Sequence, residues 1–376
     1  MPGGAQRREW IGSGEPYYYL GDVWLPPAPR AMRILVDLTH PGDVHFFRRA
    51  IEIWRQRDHA VLITARRKDL TVDLLRRLGI EHEDLGAARS GLVGLSVELF
   101  ARTYRLCRRV REFRPDVMTT TAGTFIAQAG WLCRVPTVVF YDTENATLSN
   151  LITYPVCTAV VTPQCYYGRV PAAKHRTYAG YQELAYTHPN SFSPDAQRLA
   201  DFGLSRDEPF IFVRLVSWGA AHDTLDHGFT QVEDAIRELQ QFGRVVISAE
   251  GPLPPGLAPY RITGPLEHVH HVLAFARLCI GESATMASES ATLGTPAILV
   301  STTGRGYTDD QERRYGLTYT FRDRRTAQRD GLAKAIEILS DVNSRDRWAR
   351  KREQMLADMI DVSEYVVTLV ESYGRA

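Results

Sequence analysis

Residues 33–47 read R-I-L-V-D-L-T-H-P-G-D-V-H-F-F, an apolar run that ends in a short polar turn and then enters a helix-like pattern. A short apolar run bounded by turn formers is typical of a buried strand, and Gly42 permits a tight turn after it. The amides that open the next helix would face an anion at the carboxyl end of the strand. This stretch therefore predicts the first strand, turn and helix of an α/β unit.

The same alternation continues toward the C-terminus and predicts two parallel sheets with helices between their strands. The first series has predicted strands at 34–36, 60–64, 116–120 and 136–141, and helices at 45–57, 68–79, 90–114 and 123–133. The second has strands at 210–215, 244–248, 278–281 and 297–300, and helices at 229–242, 267–277, 284–293 and 324–340. We expect two doubly wound, Rossmann-like domains that face each other across a ligand-binding cleft.

Four segments are predicted along the chain. Residues 1–31 mix Gly, Pro and charge without a helical or strand period, which is typical of a flexible extension. Residues 32–187 form the N-terminal domain, and residues 188–345 form the C-terminal domain. Turn formers between 186 and 209 make the hinge. Residues 346–376 are assigned to a C-terminal helix. The helical pattern itself begins near residue 343.

Composition limits the classes of function. The 376 residues carry 45 Lys+Arg against 44 Asp+Glu, so there is no cationic excess for a nucleic-acid partner. The five cysteines are scattered and predict buried thiols in a reducing cytoplasm. No apolar run has the length of a membrane helix, and no export signal is evident. We expect a cytoplasmic protein.

The predicted carboxyl edge of the first sheet carries three candidate catalytic residues. His45 stands at a helix start, where an imidazole could accept a proton from a hydroxyl, or could instead cap or pack. Asp142 and Glu144 follow the strand that ends at Tyr141. They could act as acid and base or hold a divalent metal, and Asp142 could merely cap the next helix.

Residues 281–296, G-E-S-A-T-M-A-S-E-S-A-T-L-G-T-P, are the most informative stretch of the second domain. A strand ends at Gly281 and a helix opens whose amides, with the hydroxyls of Ser283 and Thr285, can bind a diphosphate. Glu289 lies about one turn inside, where a carboxylate can accept both hydroxyls of a ribose. The alternative is that Ser283 caps the helix and Glu289 is solvated.

Two further patterns leave alternatives open in the second domain. Arg214 and Ser217 follow its first strand, and Arg214 could bind phosphate or form a surface ion pair. Of the histidines at 268, 270 and 271, two could share a helix face, but no third ligand is evident. We therefore predict no metal site.

The predicted helix at 90–114 has an apolar stripe beside Arg102, Arg105, Arg108, Arg109, Arg111 and Arg114. A helix packed on the sheet with a hydrated basic face is one interpretation. Docking against anionic lipid is the other.

From about residue 32 onward, the sequence resembles a family of archaeal and bacterial proteins of unknown function that are considered relatives of two-domain GT-B glycosyltransferases. The resemblance is carried by V-D-L-T-H-P-G-D-V-H-F-F (36–47), L-I-T-A-R-R (62–67), Y-D-T-E-N-A (141–146), H-H-V-L-A-F-A (270–276) and G-E-S-A-T-M-A-S-E-S-A-T-L-G-T-P-A-I (281–298). It implies a GT-B-like fold. The chain is also similar to the N-acetylglucosaminyltransferase of the peptidoglycan lipid precursor and to the non-hydrolysing UDP-N-acetylglucosamine 2-epimerases.

The similarity to the transferase implies roles for individual residues. The first domain, 32–187, would be the acceptor side of the cleft. His45 matches a histidine of the transferase's first glycine-rich loop, Ser217 lies in the loop that matches its phosphate-contacting turn, and Glu289 matches its ribose contact. Gln311 matches a glutamine that contacts the sugar. There are two departures: the first loop has fewer glycines here, and the phosphate-contacting threonine falls on Met286, one position from Thr285.

The similarity to the epimerases implies a partly different set. Ser283 matches the serine of their phosphate turn, and Glu144 matches the glutamate of their H-x-E-A-G motif. Their catalytic aspartate has no acidic counterpart in residues 119–124, T-T-T-A-G-T. The epimerase therefore ranks second.

Together these observations predict a metal-independent glycosyltransferase that uses a nucleotide sugar as substrate and needs no cofactor. The acceptor, in glycan or glycolipid biosynthesis, is lipid-linked in this hypothesis, which would make the protein peripheral at the inner membrane face. The alternatives are a nucleotide-sugar 2-epimerase and a non-catalytic protein that binds nucleotide sugars.

Overall fold

A computed structural model of the chain describes residues 9–12, 15–20, 23–25, 31–68, 70–89, 91–144, 146–216 and 232–374. Two separate parallel sheets have helices between their successive strands. This confirms the predicted pair of doubly wound, Rossmann-like domains. Apolar residues of the strands are buried under helices in both domains and form the core.

The described parts of residues 1–31 contain three short antiparallel strands, where the sequence pattern predicted an extension without regular elements. The aromatic and branched residues of Y-Y-Y-L and V-W-L favour strands, although they do not alternate with polar ones. The three strands are β1 (Glu9–Gly12), β2 (Glu15–Leu20) and β3 (Val23–Leu25).

The first parallel sheet has seven strands in the order β10-β9-β8-β7-β4-β5-β6. Its strands are β4 (Arg33–Leu38), β5 (Ala60–Arg67), β6 (Glu83–Ala87), β7 (Val117–Thr121), β8 (Thr137–Phe140), β9 (Ala159–Pro163) and β10 (His175–Tyr178). Its helices are α1 (Pro41–Gln56), α2 (Thr71–Arg77), α3 (Gly91–Phe113), α4 (Thr124–Cys133), α5 (Thr147–Thr153) and α6 (Leu184–Thr187). The strands β6 and β10 were not predicted because they lack an apolar run, and the short β9 was missed as well.

The second parallel sheet has five strands in the order β12-β11-β13-β14-β15. Its strands are β11 (Phe210–Leu215), β12 (Arg244–Ala249), β13 (Cys279–Gly281), β14 (Ala297–Val300) and β15 (Thr318–Phe321). Its helices are α7 (Val232–Leu239), α8 (Val269–Phe275), α9 (Ala284–Leu293), α10 (Gly306–Asp310) and α11 (Ala327–Ser340). A π-helical turn (Gln311–Tyr315) follows α10, and short 3-10 turns cover Ala196–Phe202, Gln240–Phe242, Ala258–Tyr260 and Leu266–His268.

The C-terminal helix predicted from residue 343 is two helices, α12 (Ser344–Asp358) and α13 (Val362–Tyr373). They are separate because Met359 has extended backbone and Asp361 caps α13 by accepting from the Glu364 amide. Helix α13 returns to the first domain and packs against α1 and β7. Its buried Glu371 accepts hydrogen bonds from Arg57, so the end of the chain fastens the second domain to the first. None of the described helices is both long and apolar enough to cross a membrane.

Candidate functional site

A cavity of about 410 Å³ lies at the carboxyl ends of β4, β5, β7 and β8. Four carboxylates line it, together with the basic side chains of β5 and its following loop. Thr285 of α9 also lines it, so this cavity, called the first cavity below, is shared by the two domains. The carboxylates are Asp37, Asp43, Asp142 and Glu183, and the basic residues are Arg66 and Lys68.

Asp142 lies two residues after the end of β8 and is half-buried in the first cavity. Burial raises the pKa of its carboxyl group, against the opposing hydrogen bond from the Thr143 hydroxyl, which donates to Oδ1 at 2.9 Å. A carboxylate whose pKa lies above its usual range is a better proton acceptor than an ordinary one. Capping of the next helix was the alternative role considered for Asp142. Among the hydrogen bonds described, its side chain does not cap α5.

Asp43 holds the turn between β4 and α1. Its Oδ2 accepts from the amides of Thr39 and His40 at 2.7 and 2.9 Å, and Thr121 donates its hydroxyl to Oδ1. The side chain of His40 caps α1 by accepting from the Gly42 amide, so His40, and not His45, is the capping histidine. Asp43 was overlooked in the sequence, although an acid at the third helical position is a known signal of a helix start.

A buried ion pair lies under the first cavity. Arg102 donates to Asp37 Oδ1 at 2.5 Å and to the Ala65 carbonyl at 3.1 Å, and Thr64 donates to the same Asp37 oxygen. The sequence pattern had placed Arg102 on the hydrated basic face of α3. Arg102 is instead buried. A charge this deep needs such partners.

A second cavity of about 650 Å³ lies between α1 and the start of α8, and His45 lines it. The His45 ring centroid is 4.8 Å from that of His270 and 5.4 Å from that of Tyr186. Burial, followed by the neighbouring His270, lowers the pKa of His45 to about 3. At neutral pH this imidazole is uncharged and is a weak base. The cavity is also lined by four arginines that pair with three carboxylates of its wall, namely Arg48 and Arg49 with Glu52, Arg77 with Glu267, and Arg198 with Asp195.

Glu289 of α9 is buried and contacts Tyr186, which lines both cavities. Tyr186 donates its hydroxyl to Oε1 at 2.9 Å, and His270 Nε2 lies 3.1 Å from the same oxygen. Burial alone would raise the pKa of Glu289, but the charge and hydrogen bond of His270 hold it below its ordinary value. The carboxylate is therefore neither solvated nor isolated. Tyr186 was missed in the sequence because no local motif marks it, and His270 was considered there as a metal ligand and not as a partner of Glu289.

The start of α9 separates the roles of its small residues. Ser283 caps the helix, since its hydroxyl accepts from the Met286 amide at 3.3 Å. Thr285 is exposed and faces the first cavity. Met286, which takes the place of the transferase threonine in the sequence comparison, packs against the apolar core of the second domain. Of these three side chains, Thr285 is the one presented to the cleft.

Two other candidates, Arg214 and Gln311, have partners within the protein. Arg214 donates to Ser248 Oγ at 2.9 Å and to Glu250 Oε1 at 2.6 Å, the ion pair considered as an alternative. Gln311 is buried and donates to Ser288 Oγ at 2.7 Å. Ser217 lies outside the described residues.

Glu144 connects the two domains. Its Oε1 accepts from the backbone amide of Gly306, the first residue of α10, at 3.1 Å. Burial raises the pKa of this carboxyl group. Its other oxygen, Oε2, is buried without a hydrogen-bond partner among the described residues. Among all the residues that the structure describes, no group of three or more His, Cys, Asp or Glu side chains is placed to hold a metal ion.

Comparison with solved structures defines the class of fold. The UDP-GlcNAc 2-epimerase of Neisseria meningitidis, solved with bound UDP-GlcNAc, matches with a TM-score of 0.61 at 12% identity over 90% of this chain and 100% of its own. The UDP-GlcNAc 2-epimerase of Methanocaldococcus jannaschii matches with a TM-score of 0.58 at 12% identity, over 86% of this chain and 99% of its own. The calicheamicin glycosyltransferase matches with a TM-score of 0.55 at 16% identity, over 92% of this chain and 98% of its own. The protein therefore has the GT-B-like, two-domain Rossmann-type fold.

The family follows from the sequence. A family model described as "Protein of unknown function (DUF354)" matches residues 32–237, more than half of the chain, and the protein belongs to this family. The resemblance deduced from the motifs is thereby confirmed. No curated protein matches the chain.

Proposed function

We propose that the protein is a GT-B-type glycosyltransferase that moves a sugar from a nucleoside-diphosphate sugar to an acceptor hydroxyl. One observation carries this proposal: Thr285, in the first turn of α9, lines the same cavity as Asp142 of the first domain. A helix start suited to a diphosphate thus faces a carboxylate suited to accept a proton. Transfer of a glycosyl group requires both functions within one enclosed site.

The donor would lie across the boundary of the two domains. The diphosphate would meet the first turn of α9, with the Thr285 hydroxyl, and the ribose hydroxyls would replace the Tyr186 hydroxyl on Glu289. The second cavity, beside His270, is large enough for the nucleoside. Two of the structural neighbours were solved with UDP or UDP-GlcNAc, which supports a ligand of this class. Arg214, Ser217 and Gln311 stay predicted contacts of the donor.

Asp142 would accept the proton of the acceptor hydroxyl. As that oxygen forms its bond to the anomeric carbon, the bond between this carbon and the diphosphate oxygen breaks, and the diphosphate leaves with the electron pair. The amides that open α9 would stabilise the departing charge, so no metal is required in this scheme. Asp142 is a better candidate than His45, because His45 lines the other cavity and its lowered pKa makes it a weak base.

The proposal is tested by incubating the protein with a panel of nucleotide sugars and glycan or glycolipid acceptors, and by measuring release of the nucleoside diphosphate. We expect release that depends on the acceptor and that falls at least about 100-fold in Asp142→Asn. The Glu144→Gln variant keeps an oxygen for the Gly306 amide and serves as a control for the second acidic residue. Acceptor-independent release, or full activity of Asp142→Asn, would contradict the proposal.

An epimerase is the second candidate, favoured by the likeness to UDP-GlcNAc 2-epimerases and by the position of Glu144 near the first cavity. Residues 119–124, at the end of β7 and just after it, include no acidic side chain to match the catalytic aspartate of the epimerases. The two activities are separated by supplying UDP-GlcNAc alone. An epimerase would form the manno isomer without any acceptor, whereas a protein that merely senses nucleotide sugars would bind the compound and leave it unchanged.

A further inference from the structure

Helix α3 carries an apolar stripe on its exposed side. Val93, Val97, Phe100 and Tyr104 follow one another at spacings of four, three and four residues, which places them on one face of the helix. Val93 is 79% exposed, Phe100 77% and Tyr104 70%. The opposite side of α3, with Leu106 and Val110, is already buried against the sheet. The exposed stripe is therefore a second apolar face, which the fold itself does not need.

The stripe continues onto the two neighbouring helices. Helix α3 packs beside α4, and α4 packs beside α5. Both neighbours expose large apolar side chains of their own. We call the whole set the α3–α5 surface: Val93, Val97, Phe100, Tyr104, Trp131, Leu132, Leu148 and Leu151. Single exposed apolar residues are common in proteins, but a set of eight on three adjacent helices indicates an interaction surface.

The charges along α3 favour an anionic occupant. Arg105 and Arg111 are exposed on this helix and take part in none of the ion pairs described, whereas Arg108 is exposed but pairs with Glu112. Glu98 is buried against Arg66, and Glu112 is bonded by Arg108 and Arg109. Arg109 also pairs with Glu83 of β6, and Arg105 donates to the Leu85 carbonyl. The helix thus carries a cationic excess beside its apolar stripe.

A surface that combines apolar and aromatic side chains with arginines has the composition of a helix that lies in the interface of a membrane. Tyr104 and Trp131 supply the amphipathic rings that prefer the headgroup region. A second copy of this chain would bring the same arginine-bearing helix against this one, and like charges that face each other across an interface are unfavourable. The chemistry fits an anionic lipid surface better than a second copy of this chain.

The α3–α5 surface borders the first cavity. Arg66 lines that cavity and bonds to Glu98 of α3 at 2.5 Å. Phe125 of α4 and Ala146, which precedes α5, also line it. A molecule whose polar head occupies the first cavity would therefore have a path for its tail toward this surface.

We propose that the α3–α5 surface docks on an anionic lipid bilayer and that the acceptor is presented there by its lipid tail. The second part of this inference rests on the proposed function, but the first does not. On an anionic membrane the arginines lie near headgroup phosphates, and Phe100 and its neighbours enter the boundary between headgroups and acyl chains. High salt weakens the electrostatic part of the binding.

The experiment is flotation of the full-length protein with phosphatidylcholine vesicles, with and without phosphatidylglycerol. We expect binding to the vesicles that contain phosphatidylglycerol, and a loss of at least about tenfold in the Phe100→Ser/Tyr104→Ser double variant. The matched control is Val342→Ser, which removes a side chain that is 92% exposed on the second domain. Thermal unfolding of each variant shows whether it is folded.

Absence of vesicle binding by the wild type, or equal binding by the double variant, would overturn the inference. So would a concentration-dependent dimer that the double variant abolishes, because a second copy would then cover the surface. Failure of the two proposals can be distinguished. Vesicle binding without sugar transfer removes the proposed function alone, whereas transfer to soluble acceptors without vesicle binding removes the docking surface alone.

Discussion

Tyr186 donates a hydrogen bond of 2.9 Å to Glu289 and thereby joins the end of the first domain to helix α9 of the second. Both side chains are largely buried, and His270 shares the same carboxylate oxygen. In the proposed complex, the ribose hydroxyls of the donor compete with Tyr186 for this oxygen. The free energy of this hydrogen bond is therefore lost when the protein binds a nucleotide in this way.

Removal of the Tyr186 hydroxyl should tighten nucleotide binding. A hydrogen bond of this kind contributes about 1 kcal/mol, so Tyr186→Phe is expected to lower the Kd for UDP by about fivefold. Tyr181→Phe is the matched control, since Tyr181 donates to Asp310 at 2.8 Å in the same region but away from Glu289. Calorimetric titration measures both. An equal effect of the two variants would show that Glu289 is not the ribose contact.

The rate of transfer should depend on the ionisation of Asp142. Because burial raises the pKa of this carboxyl group, it is protonated at pH values where an ordinary aspartate is already a base. We expect kcat/KM to rise with pH and to reach its plateau above the ordinary aspartate range. In Asp142→Asn the residual rate should lose this rise. A wild-type profile that is flat from pH 4 upward would argue against Asp142 as the base.

The lowered pKa of His45 has a consequence for stability. Between about pH 6.5 and pH 3 the unfolded chain binds a proton at this residue that the folded protein does not. The free energy of unfolding is therefore highest above pH 6.5 and falls as the pH is lowered. The His45→Phe variant should reduce this fall by up to about 1.4 kcal/mol per pH unit. Urea unfolding at several pH values measures it, and identical slopes would contradict the assignment.

Ser283 should affect both folding and ligand binding. Loss of a helix cap costs about 1 kcal/mol, so Ser283→Ala is expected to lower the Tm. Asp361→Ala removes the cap of α13 and should have a comparable effect on stability. Ser283→Ala alone should also weaken UDP binding, because it disorders the amides that open α9. If the two variants bind UDP equally well, the start of α9 is not the phosphate site.

The alternation of strands and helices was predictable because each buried strand is a short apolar run, and helix α9 was predicted within its observed bounds, 284–293. Strand β6, E-D-L-G-A, could not be predicted because its composition is not typical of a strand. It is a strand because it pairs with β5. The same reason applies to β10 at the edge of the sheet.

Candidate site residues could be proposed from the sequence where one loop carries them, as in residues 281–289, of which Thr285 lines the first cavity. It was not predictable where distant segments meet. Tyr186 and Glu289 are 103 residues apart in the chain, and Arg102 and Asp37 are 65 apart. Their contacts depend on the packing of α6 against α9 and of α3 against the sheet, which no local pattern records.

The most direct test of the central claim is a crystal structure of the protein grown with UDP. The proposal expects diphosphate density within hydrogen-bond distance of the amides that open α9 and of Thr285, with the ribose on Glu289 in place of Tyr186. Density for the nucleotide at another place, or an unaltered bond between Tyr186 and Glu289 in a crystal that contains bound UDP, would contradict it.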